Sequence, residues 1–391
     1  MHPAILITIY LILSTIAGLM TEFCLQKWLL PEKAGRIRKF WLIPYIVLSL
    51  LPVEGAFLPD SGVKFALQGA GNIWLGFYIY YGWILIDLLI LAAIVKLALR
   101  RKIGRGYAVP LLGSVILTVV LVSYGMVHAQ NTVVNHFDVT VEKSAGETKE
   151  MKLVLIADLH MSVNSKLSTI ERMVELVNEQ NADAVVIAGD IFTSSYGGMR
   201  NPDGYAKALR GMKSKYGVFA VYGNHDVEET LFGGFPISPV TRAFRTKEME
   251  AFFEAAGFRT LTDEIVMLGD SVQLAGRIDG ERAGDGTKER MSASELLSGA
   301  DKNLPILVLQ HEPHDFKALK EAGADVALCG HTHNGQIFPG NLIIPFFNEN
   351  AYGYVNVDGL DTVVTAGVGY YGPPMRIGTN SEVTVVNIHF Q

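Results

Sequence analysis

The stretch Val218-Phe219-Ala220-Val221-Tyr222-Gly223-Asn224-His225-Asp226 decides the fold, because it joins a strand to a polar turn. Its first five residues are apolar and mostly of the types enriched in β-strands. Its last three carry an amide, an imidazole and a carboxylate. We expect Gly223 to permit the turn between them by adopting a positive φ. Alone, the tetrapeptide Gly223-Asn224-His225-Asp226 is typical of an ordinary polar turn. Whether it indicates a functional site depends on whether the pattern recurs.

The same pattern occurs four more times along the chain. Apolar runs at residues 152–157, 184–188, 305–310 and 325–329 end in Asp158-Leu159-His160, Gly189-Asp190, His311 and Gly330-His331-Thr332-His333. Amphipathic stretches typical of helices lie between these runs. Residues 165–180 separate the run at 152–157 from that at 184–188, and residues 203–215 separate the latter from the run at 218–222. Alternating strands and helices predict a mainly parallel sheet, and the carboxyl ends of its strands lie at one edge. We therefore expect these polar side chains to meet in space.

The rest of this half contains further predicted elements. A strand at residues 131–141 leads into it, and helices are predicted at residues 247–256, 293–298 and 315–322. Strands are predicted at residues 265–268 and 272–275. Alternating segments at residues 336–338, 342–344, 354–357, 362–365 and 383–389 predict antiparallel strands in a second sheet packed on the first. The loop at residues 228–246 is interpreted equally well as a lid over the site and as a surface loop.

The N-terminal third is strongly apolar, which accounts for the mean hydropathy of +0.27 over 391 residues. Residues 3–20, 40–58, 73–99 and 107–127 have roughly the ~20-residue length that crosses a bilayer, so we predict four transmembrane helices. Pro44, Pro52 and Glu54 interrupt the second. Asp87 falls inside the third span, and we expect it to pair with another helix or to lie near water.

The charges between these helices predict their orientation. The loops at residues 27–39 and 100–105 are rich in lysine and arginine, which places both on the cytoplasmic side by the positive-inside rule. Both termini and everything after Val127 are then expected outside. The net charge of −6 provides no basic face for nucleic acid. Cys24 and Cys329 are expected to be buried free thiols, because two such cysteines cannot form a disulfide framework.

The side chains at the strand ends suit a metal centre. The candidates are Asp158, His160, Asp190, Asn224, His225, Asp226, His311, His331 and His333. Two divalent ions about 3.5 to 4 Å apart need a bridging carboxylate and several imidazole or oxygen ligands, and this set supplies them. The absence of thiolate favours Mn, Fe, Zn or Ni, with Mn preferred, over Ca or a structural zinc site.

These five blocks, in this order, resemble the signature motifs of the calcineurin-like metallophosphoesterase family, from residue 152 to the C-terminus. The chain also resembles the membrane-anchored bacterial branch of that family. The resemblance implies a sandwich of two packed mixed β-sheets flanked by helices (αββα). It implies a first metal held by Asp158, His160, Asp190 and His333, and a second held by Asp190, Asn224, His311 and His331. Asp190 would bridge the two. His225 would protonate the leaving oxygen or clamp the phosphoryl group, oriented by Asp226.

The chain departs from that branch at two positions. Asn334 stands where glycine usually follows the last metal-binding histidine, and Thr193 stands where an aspartate is common after the Gly-Asp block. Neither position supplies a metal ligand. Arg200, Arg277 and Arg376 could bind a phosphodiester, although each is more often a solvated or structural arginine.

We therefore expect residues 1–127 to form a transmembrane region, residues 128–150 a linker with a leading strand, and residues 151–391 a metallophosphoesterase domain. The expected function is hydrolysis of phosphodiesters, such as lipid head groups or envelope components, by a multi-pass protein of the bacterial cell membrane. The expected partners are a phosphoester substrate, which can be lipid-linked, and the membrane. A phosphomonoesterase or nucleotide hydrolase is one alternative, and a non-catalytic membrane sensor or scaffold is another.

Overall fold

A computed structural model describes residues 3–28, 31–54, 58, 61–99, 107–232, 235–236, 244–280, 282–284 and 290–391. The predicted basic loop at residues 100–105 and part of the loop at residues 228–246, namely 233–234 and 237–243, lie outside the described residues. The chain divides into two compact units. The first contains residues 1–127 with Leu231–Ile237 and Gly372–Met375, and the second contains the remainder.

The first unit is built on four helices: α1 (Pro3–Trp28), α2 (Pro31–Glu54), α3 (Gly62–Leu99) and α4 (Ala108–His128). Many of their large apolar side chains are exposed, as expected for surfaces that face lipid. Polar contacts join the helices: the Tyr10 hydroxyl donates to the Ser49 carbonyl at 2.8 Å, and the Thr21 and Tyr81 hydroxyls are 2.6 Å apart. These contacts give the hydroxyl groups hydrogen-bond partners, which the hydrocarbon of a bilayer does not provide.

Three of the helices are long and apolar enough to cross a membrane: Thr8–Lys27, Gly62–Leu99 and Ala108–His128. The described side chains of α2 include a further apolar helical stretch, Phe40–Pro52, which belongs to the second predicted span. The four predicted helices are therefore present. The first turns of α2 carry Lys33, Arg36, Arg38 and Lys39 in the sequence.

The remaining elements follow in chain order. They are β1 (Thr132–Val141), β2 (Glu150–Ile156), α5 (Leu167–Glu179), β3 (Ala184–Ala188), α6 (Pro202–Leu209), β4 (Val218–Val221), β5 (Leu231–Phe232), β6 (Phe235–Pro236), α7 (Lys247–Ala255), β7 (Arg259–Thr260), β8 (Glu264–Leu268), β9 (Val272–Gly276), α8 (Ala293–Leu296), β10 (Ile306–Leu309), α9 (Phe316–Ala322), β11 (Val326–Cys329), α10 (Gly340–Ile343), β12 (Gly353–Val357), β13 (Leu360–Val364) and β14 (Ser381–Phe390).

Two six-stranded mixed sheets form the second unit. One has the order β1-β14-β2-β3-β4-β7 and the other β12-β13-β11-β10-β9-β8. One apolar cluster, which includes Leu155, Val186, Leu309 and Leu328, fills the space between the facing sheets. Helices α5, α6 and α7 cover the outer face of the first sheet, and α8 and α9 cover that of the second. The predicted αββα layers are confirmed.

The predicted tail is only partly correct. Residues 336–338 and 342–344 do not form strands: the first contributes an isolated bridge from Ile337 to Ile377, and the second overlaps α10 and a short 3₁₀ turn. The last strand, β14, enters the first sheet rather than the second, parallel to β1 and antiparallel to β2. β14 therefore lies between β1 and β2, which are consecutive strands in the sequence. Cys24 and Cys329 are buried and free, as expected.

Candidate metal centre

The predicted site residues converge at the carboxyl ends of five strands. Asp158 and His160 follow β2, Asp190 follows β3, and Asn224 and His225 follow β4 in the first sheet. His311 follows β10, and His331 and His333 follow β11 in the second. All are buried except His331, which is partly exposed. The edge shared by the two sheets thus collects side chains that are far apart in sequence, as the alternating pattern predicts.

One group forms around Asp158. His333 Nε2 lies 3.3 Å from Asp158 Oδ1 and 2.9 Å from His160 Nε2. His160 Nε2 is also 3.5 Å from Asp190 Oδ2. The ligand atoms of Asp158, His160 and His333 all lie within 4.8 Å of one another, so they could hold one cation.

A second group forms around His311. Its Nε2 lies 3.1 Å from Asp190 Oδ2, 3.0 Å from Asn224 Oδ1 and 3.2 Å from His331 Nδ1. Asp158, Asp190 and His311 also meet the 4.8 Å criterion for a shared cation. The same oxygen of Asp190 therefore faces both groups.

The hydrogen bonds of His311 show that this donor set fits a cation. Its Nδ1 is 2.7 Å from the Ala188 carbonyl oxygen, so Nδ1 must be the nitrogen that donates a proton. In the neutral ring Nε2 then bears a lone pair, which points at the oxygens of Asp190 and Asn224. Converging lone pairs without a donor between them repel, and a divalent ion removes that repulsion.

Protons compete for the same place. Burial raises the pKa of Asp158 to about 7. Burial lowers the pKa of His311, but the Asp190 carboxylate outweighs it and holds that pKa well above its usual value. Without a cation the site therefore retains protons near neutral pH, and ion binding must displace them.

The backbone at these residues is unusual. Asp158, His160, Asp190, His331 and His333 all have positive φ, between 43° and 76°. This region is sparsely populated by residues other than glycine, and such conformations cluster at functional sites. The fold therefore holds these side chains in place at a conformational cost.

Gly223 is required for a different reason from the one expected. Its φ is not positive; instead, a Cβ at this position would lie 2.2 Å from Asp190 Oδ1 and 2.6 Å from the Asp190 backbone nitrogen. Glycine is needed because the turn after β4 passes directly against the carboxylate that faces both groups.

His225 lies beside the two groups. Its backbone N–H donates to Asp190 Oδ1 at 2.8 Å, and its ring centroid is 4.6 Å from that of Tyr371. Burial lowers its pKa to about 3. The imidazole is therefore neutral at physiological pH in the protein alone.

The expected orientation of His225 by Asp226 is wrong. The Asp226 carboxylate accepts hydrogen bonds from the backbone N–H groups of Asp190, Phe192 and Gly223, at 2.8 to 3.0 Å. It ties the turns after β3 and β4 together, which is the usual role of a carboxylate at a turn. The atom near His225 Nδ1 is instead Ser194 Oγ, at 2.9 Å.

Sequence reasoning missed Ser194 and Tyr371, which lie beside the His225 ring. Only Ser194 had a local signal, since it follows the departure at Thr193. Of the three arginines considered, Arg376 is fully buried and donates to backbone carbonyls, including those of Ala366 and Gly369. Arg277 is buried against Gln310 and Asp315, and Arg200 is exposed. Arg277 and Arg376 are therefore structural.

Residues 151–335 match the family model described as calcineurin-like phosphoesterase. The chain carries a calcineurin-like phosphoesterase domain. This agrees with the five signature blocks, whose side chains supply the groups of metal-capable residues at the shared sheet edge.

Several curated relatives carry the same domain. The chain is 32% identical over 289 residues to a "transmembrane protein with metallophosphoesterase domain" of Danio rerio, covering 69% of this chain and 61% of the relative. It is 28% identical over 242 residues to an "uncharacterized metallophosphoesterase" of Helicobacter pylori (strain ATCC 700392 / 26695), covering 61% and 60%. It is 27% identical over 275 residues to one of Aquifex aeolicus (strain VF5), covering 70% and 97%. The match thus spans about three fifths of the first two relatives.

Proposed function

We propose that the protein is a membrane-tethered, dinuclear-metal phosphoesterase that hydrolyses phosphodiesters. The observation that carries this proposal is the position of Asp190, whose Oδ2 lies 3.5 Å from His160 Nε2 and 3.1 Å from His311 Nε2. One carboxylate facing two ligand groups is what a pair of ions requires. Two divalent ions bound there would supply an activated water and stabilise charge on the phosphoryl group. Manganese is the ion we favour among Mn, Fe, Zn and Ni.

Each ligand group would hold one ion. Asp158, His160 and His333 would hold the first, and Asn224, His311 and His331 the second, with Asp190 shared between them. His311 is preorganised for this, because its Nδ1–H is already committed to the Ala188 carbonyl. Such a hydrogen bond on the far nitrogen fixes the tautomer and the ring orientation of a metal-binding histidine.

His225 would act on the leaving group rather than on an ion. Burial keeps its pKa near 3 in the protein alone, but an anionic phosphoryl group beside the ring would raise that pKa and favour protonation. The imidazole could then clamp the phosphoryl group or give a proton to the leaving oxygen. The ring of Tyr371 covers one face of His225 and limits access of water.

A cleft beside the second ligand group could accept a substituent of the substrate. It has a volume of about 360 Å³ and is lined by Gly280, Arg290, Glu312, Pro313, His314, His331 and Asn348. His331 connects it to the site. A phosphodiester has a substituent on each side of phosphorus, and this cleft would accept one of them beside Arg290, whose Nη2 lies 3.7 Å from Asp315 Oδ2. A monoesterase or nucleotide hydrolase remains the alternative, in which the cleft binds the only substituent.

We propose a membrane-associated substrate. Leu231–Ile237 and Gly372–Met375 belong to the compact unit of the helices, although they interrupt the sequence of the phosphoesterase domain. Within that unit the rings of Tyr10 and Phe232 lie 5.5 Å apart. We favour lipid head groups or lipid-linked envelope components as substrates, because one chain carries both helices long enough to cross a membrane and the phosphoesterase domain. Residues 1–127 would be the membrane region and residues 151–391 the catalytic domain.

The proposed location is extracytoplasmic, in a multi-pass protein of a bacterial cell membrane. Both basic loops can be cytoplasmic only if α2 also crosses, because three crossings would put the two loops on opposite sides. We therefore propose that α2 crosses, with the basic residues of its first turns, Lys33, Arg36, Arg38 and Lys39, at the cytoplasmic surface. A reporter fused after Gln391 tests this. Activity of a reporter that works only outside the cytoplasm is expected, and activity only of a cytoplasmic reporter would overturn the placement.

The enzymatic proposal is tested with the full chain in detergent, loaded with Mn²⁺. Bis(nitrophenyl) phosphate and nitrophenyl phosphate are compared, alongside Asp190→Asn, His225→Ala and the exposed control Arg172→Ala. Diester turnover that Asp190→Asn abolishes and the control retains is the expected result. Because nitrophenolate leaves without a proton, His225→Ala should abolish turnover of this ester if the ring clamps the phosphoryl group and should reduce it only slightly if the ring protonates the leaving oxygen. Preference for the monoester would favour the alternative hydrolase. Failure of the metal-loaded protein to turn over either ester, extended to phospholipids and nucleotides, would favour a non-catalytic sensor or scaffold.

A further inference from the structure

The hydrogen-bond partner of His225 is supplied by Ser194. Ser194 Oγ lies 2.9 Å from His225 Nδ1, and the two residues are also joined by a backbone hydrogen bond from Ser194 N to His225 O at 2.9 Å. Ser194 is fully buried and has a φ of +46°. Hydrogen bonds from both its backbone and its side chain hold Ser194 in this sparsely populated conformation, which is typical of residues at functional sites.

A buried carboxylate continues the chain of hydrogen bonds. Ser194 Oγ donates to Glu229 Oε2 at 3.2 Å, and Glu229 N donates to the Ser194 carbonyl at 2.8 Å. Glu229 is 7% exposed, and its other oxygen has no hydrogen-bond partner within the described part of the chain. Arg282 Nη1 lies 3.7 Å from Glu229 Oε2 and donates to the Asn224 carbonyl at 3.3 Å. The carboxylate is therefore buried, close to a cation and aimed at Ser194.

This arrangement coincides with the departure at Thr193. Thr193 is buried, and its Oγ1 makes no hydrogen bond within the described residues, so it does not serve His225. Asp226, the other carboxylate nearby, is committed to three backbone N–H groups. Glu229 is thus the acid that reaches the imidazole, and it does so through one hydroxyl.

We propose that Ser194 and Glu229 are positioning residues that hold His225 as the Nδ1–H tautomer, with Nε2 presented to the leaving oxygen of the substrate. A serine hydroxyl has one proton. When that proton goes to Glu229, Oγ can only accept from His225, and Nδ1 must carry the hydrogen. The unprotonated nitrogen of the neutral ring is then Nε2. This role rests on the proposed phosphoesterase function, but the tautomer itself can be observed without catalysis.

The neighbouring pair Ser195 and Glu228 provides a matched control. Ser195 Oγ donates to Glu228 Oε1 at 2.8 Å, and Tyr196 N donates to Glu228 Oε2 at 2.8 Å. Like Ser194 and Glu229, this pair joins a serine hydroxyl to a glutamate carboxylate. Ser195 directly follows Ser194 in the chain, and Glu228 directly precedes Glu229. Ser195→Ala and Glu228→Gln therefore make the same chemical changes without removing the contact to His225.

The first experiment reads the tautomer directly. The full chain, labelled with ¹⁵N in the histidine rings and freed of metal, is studied by NMR in detergent micelles, and His225→Gln identifies the resonances. We expect a protonated Nδ1 in the parent and in both controls, and a mixture of tautomers in Ser194→Ala. Glu229→Gln is expected to shift the populations in the same direction. An Nε2–H tautomer in the parent, or unchanged populations in both site variants, would overturn the proposal.

The second experiment measures turnover by the Mn²⁺-loaded chain. Methyl nitrophenyl phosphate, whose nitrophenolate leaves without a proton, is compared with a dialkyl phosphodiester. For the alkyl ester we expect Ser194→Ala to lower kcat about 10- to 100-fold with little change in KM, which is less than the roughly 10²- to 10⁴-fold of a whole general acid because the imidazole is still present. The nitrophenyl ester should lose less than about threefold by the same reasoning. Equal losses on both esters would overturn the role. A parent inactive on both, with the tautomer still dependent on Ser194, would overturn the phosphoesterase function alone.

Discussion

Replacing Asp190 by asparagine should impair both ion sites at once. The change removes the negative charge but preserves the size of the side chain, whose Oδ2 lies 3.1 Å from His311 Nε2 and 3.5 Å from His160 Nε2. Asn224, by contrast, lies 3.0 Å from His311 Nε2 and belongs to the second group. Asp190→Asn and Asn224→Ala therefore predict different numbers of bound ions.

The magnitude follows from the burial of Asp190, which is 1% exposed. Removing one partner of a buried charge pair costs about 3 to 5 kcal/mol. At about 1.4 kcal/mol for each factor of ten, Kd for Mn²⁺ should rise roughly 150- to 4,000-fold at each site. Asn224→Ala should weaken the second site and spare the first.

Isothermal titration of the metal-free full chain with Mn²⁺ measures this, with His225→Gln as the control that should bind both ions normally. Thermal unfolding provides a second readout, because saturation at about 100 times Kd stabilises the native state by about 2.7 kcal/mol. Asp190→Asn should show almost no such stabilisation at the same concentration. One ion in the parent, or two ions with unchanged affinity in Asp190→Asn, would refute the assignment of a shared carboxylate.

Three further predictions follow from individual residues. Burial raises the pKa of Asp158 to about 7, so Mn²⁺ must displace its proton at lower pH: Kd should rise as pH falls from 8, approaching about tenfold per unit below 7. A pH-independent affinity would contradict this. Gly223→Ala should abolish Mn²⁺ binding, because its Cβ would lie 2.2 Å from the Asp190 carboxylate, whereas Gly198→Ala, with 3.6 Å to its nearest neighbour, should bind normally. Arg376→Met should lower the free energy of unfolding by about 3 to 5 kcal/mol, since buried carbonyls lose their donor, and exposed Arg172→Met should change it by less than about 0.5 kcal/mol in denaturant titrations. Equal stability of the two arginine variants would refute that account.

The parts of the fold that could be predicted are those in which the signal is local. The run Ala184–Ala188 is buried at all five positions, as a central strand of a parallel sheet requires. Helix α5 buries Ile170, Met173, Val174, Leu176 and Val177, which recur at helical spacing. A polar residue directly after such a run lies at the sheet edge whatever the rest of the chain does.

The errors concern neighbours that are distant in sequence. Residues 342–344 alternate weakly and suggest a strand, but no strand is available to pair with them, and they belong to α10 and the turn after it. β14 joins the first sheet because it pairs with both β1 and β2. No local sequence pattern predicts that pairing. Asp226 and Glu229 are both acids near His225 in sequence, and only the packing of the turn after β3 decides which of them approaches its ring.

By itself the sequence determined the alternation of strands and helices, the apolar N-terminal helices and the identity of the side chains at the strand ends. It could do so because hydrophobic periodicity and chain adjacency are local properties. Only the tertiary structure decided that Asp190 faces two ligand groups, that Gly223 is excluded from carrying a Cβ, and that Ser194 and Glu229 rather than Asp226 serve His225. The first relation includes a contact between the two sheets, from Asp190 to His311, and the other two arise where the turns after β3 and β4 pack together in the first sheet. In both cases distances of about 3 Å are fixed by packing between residues that are distant in sequence.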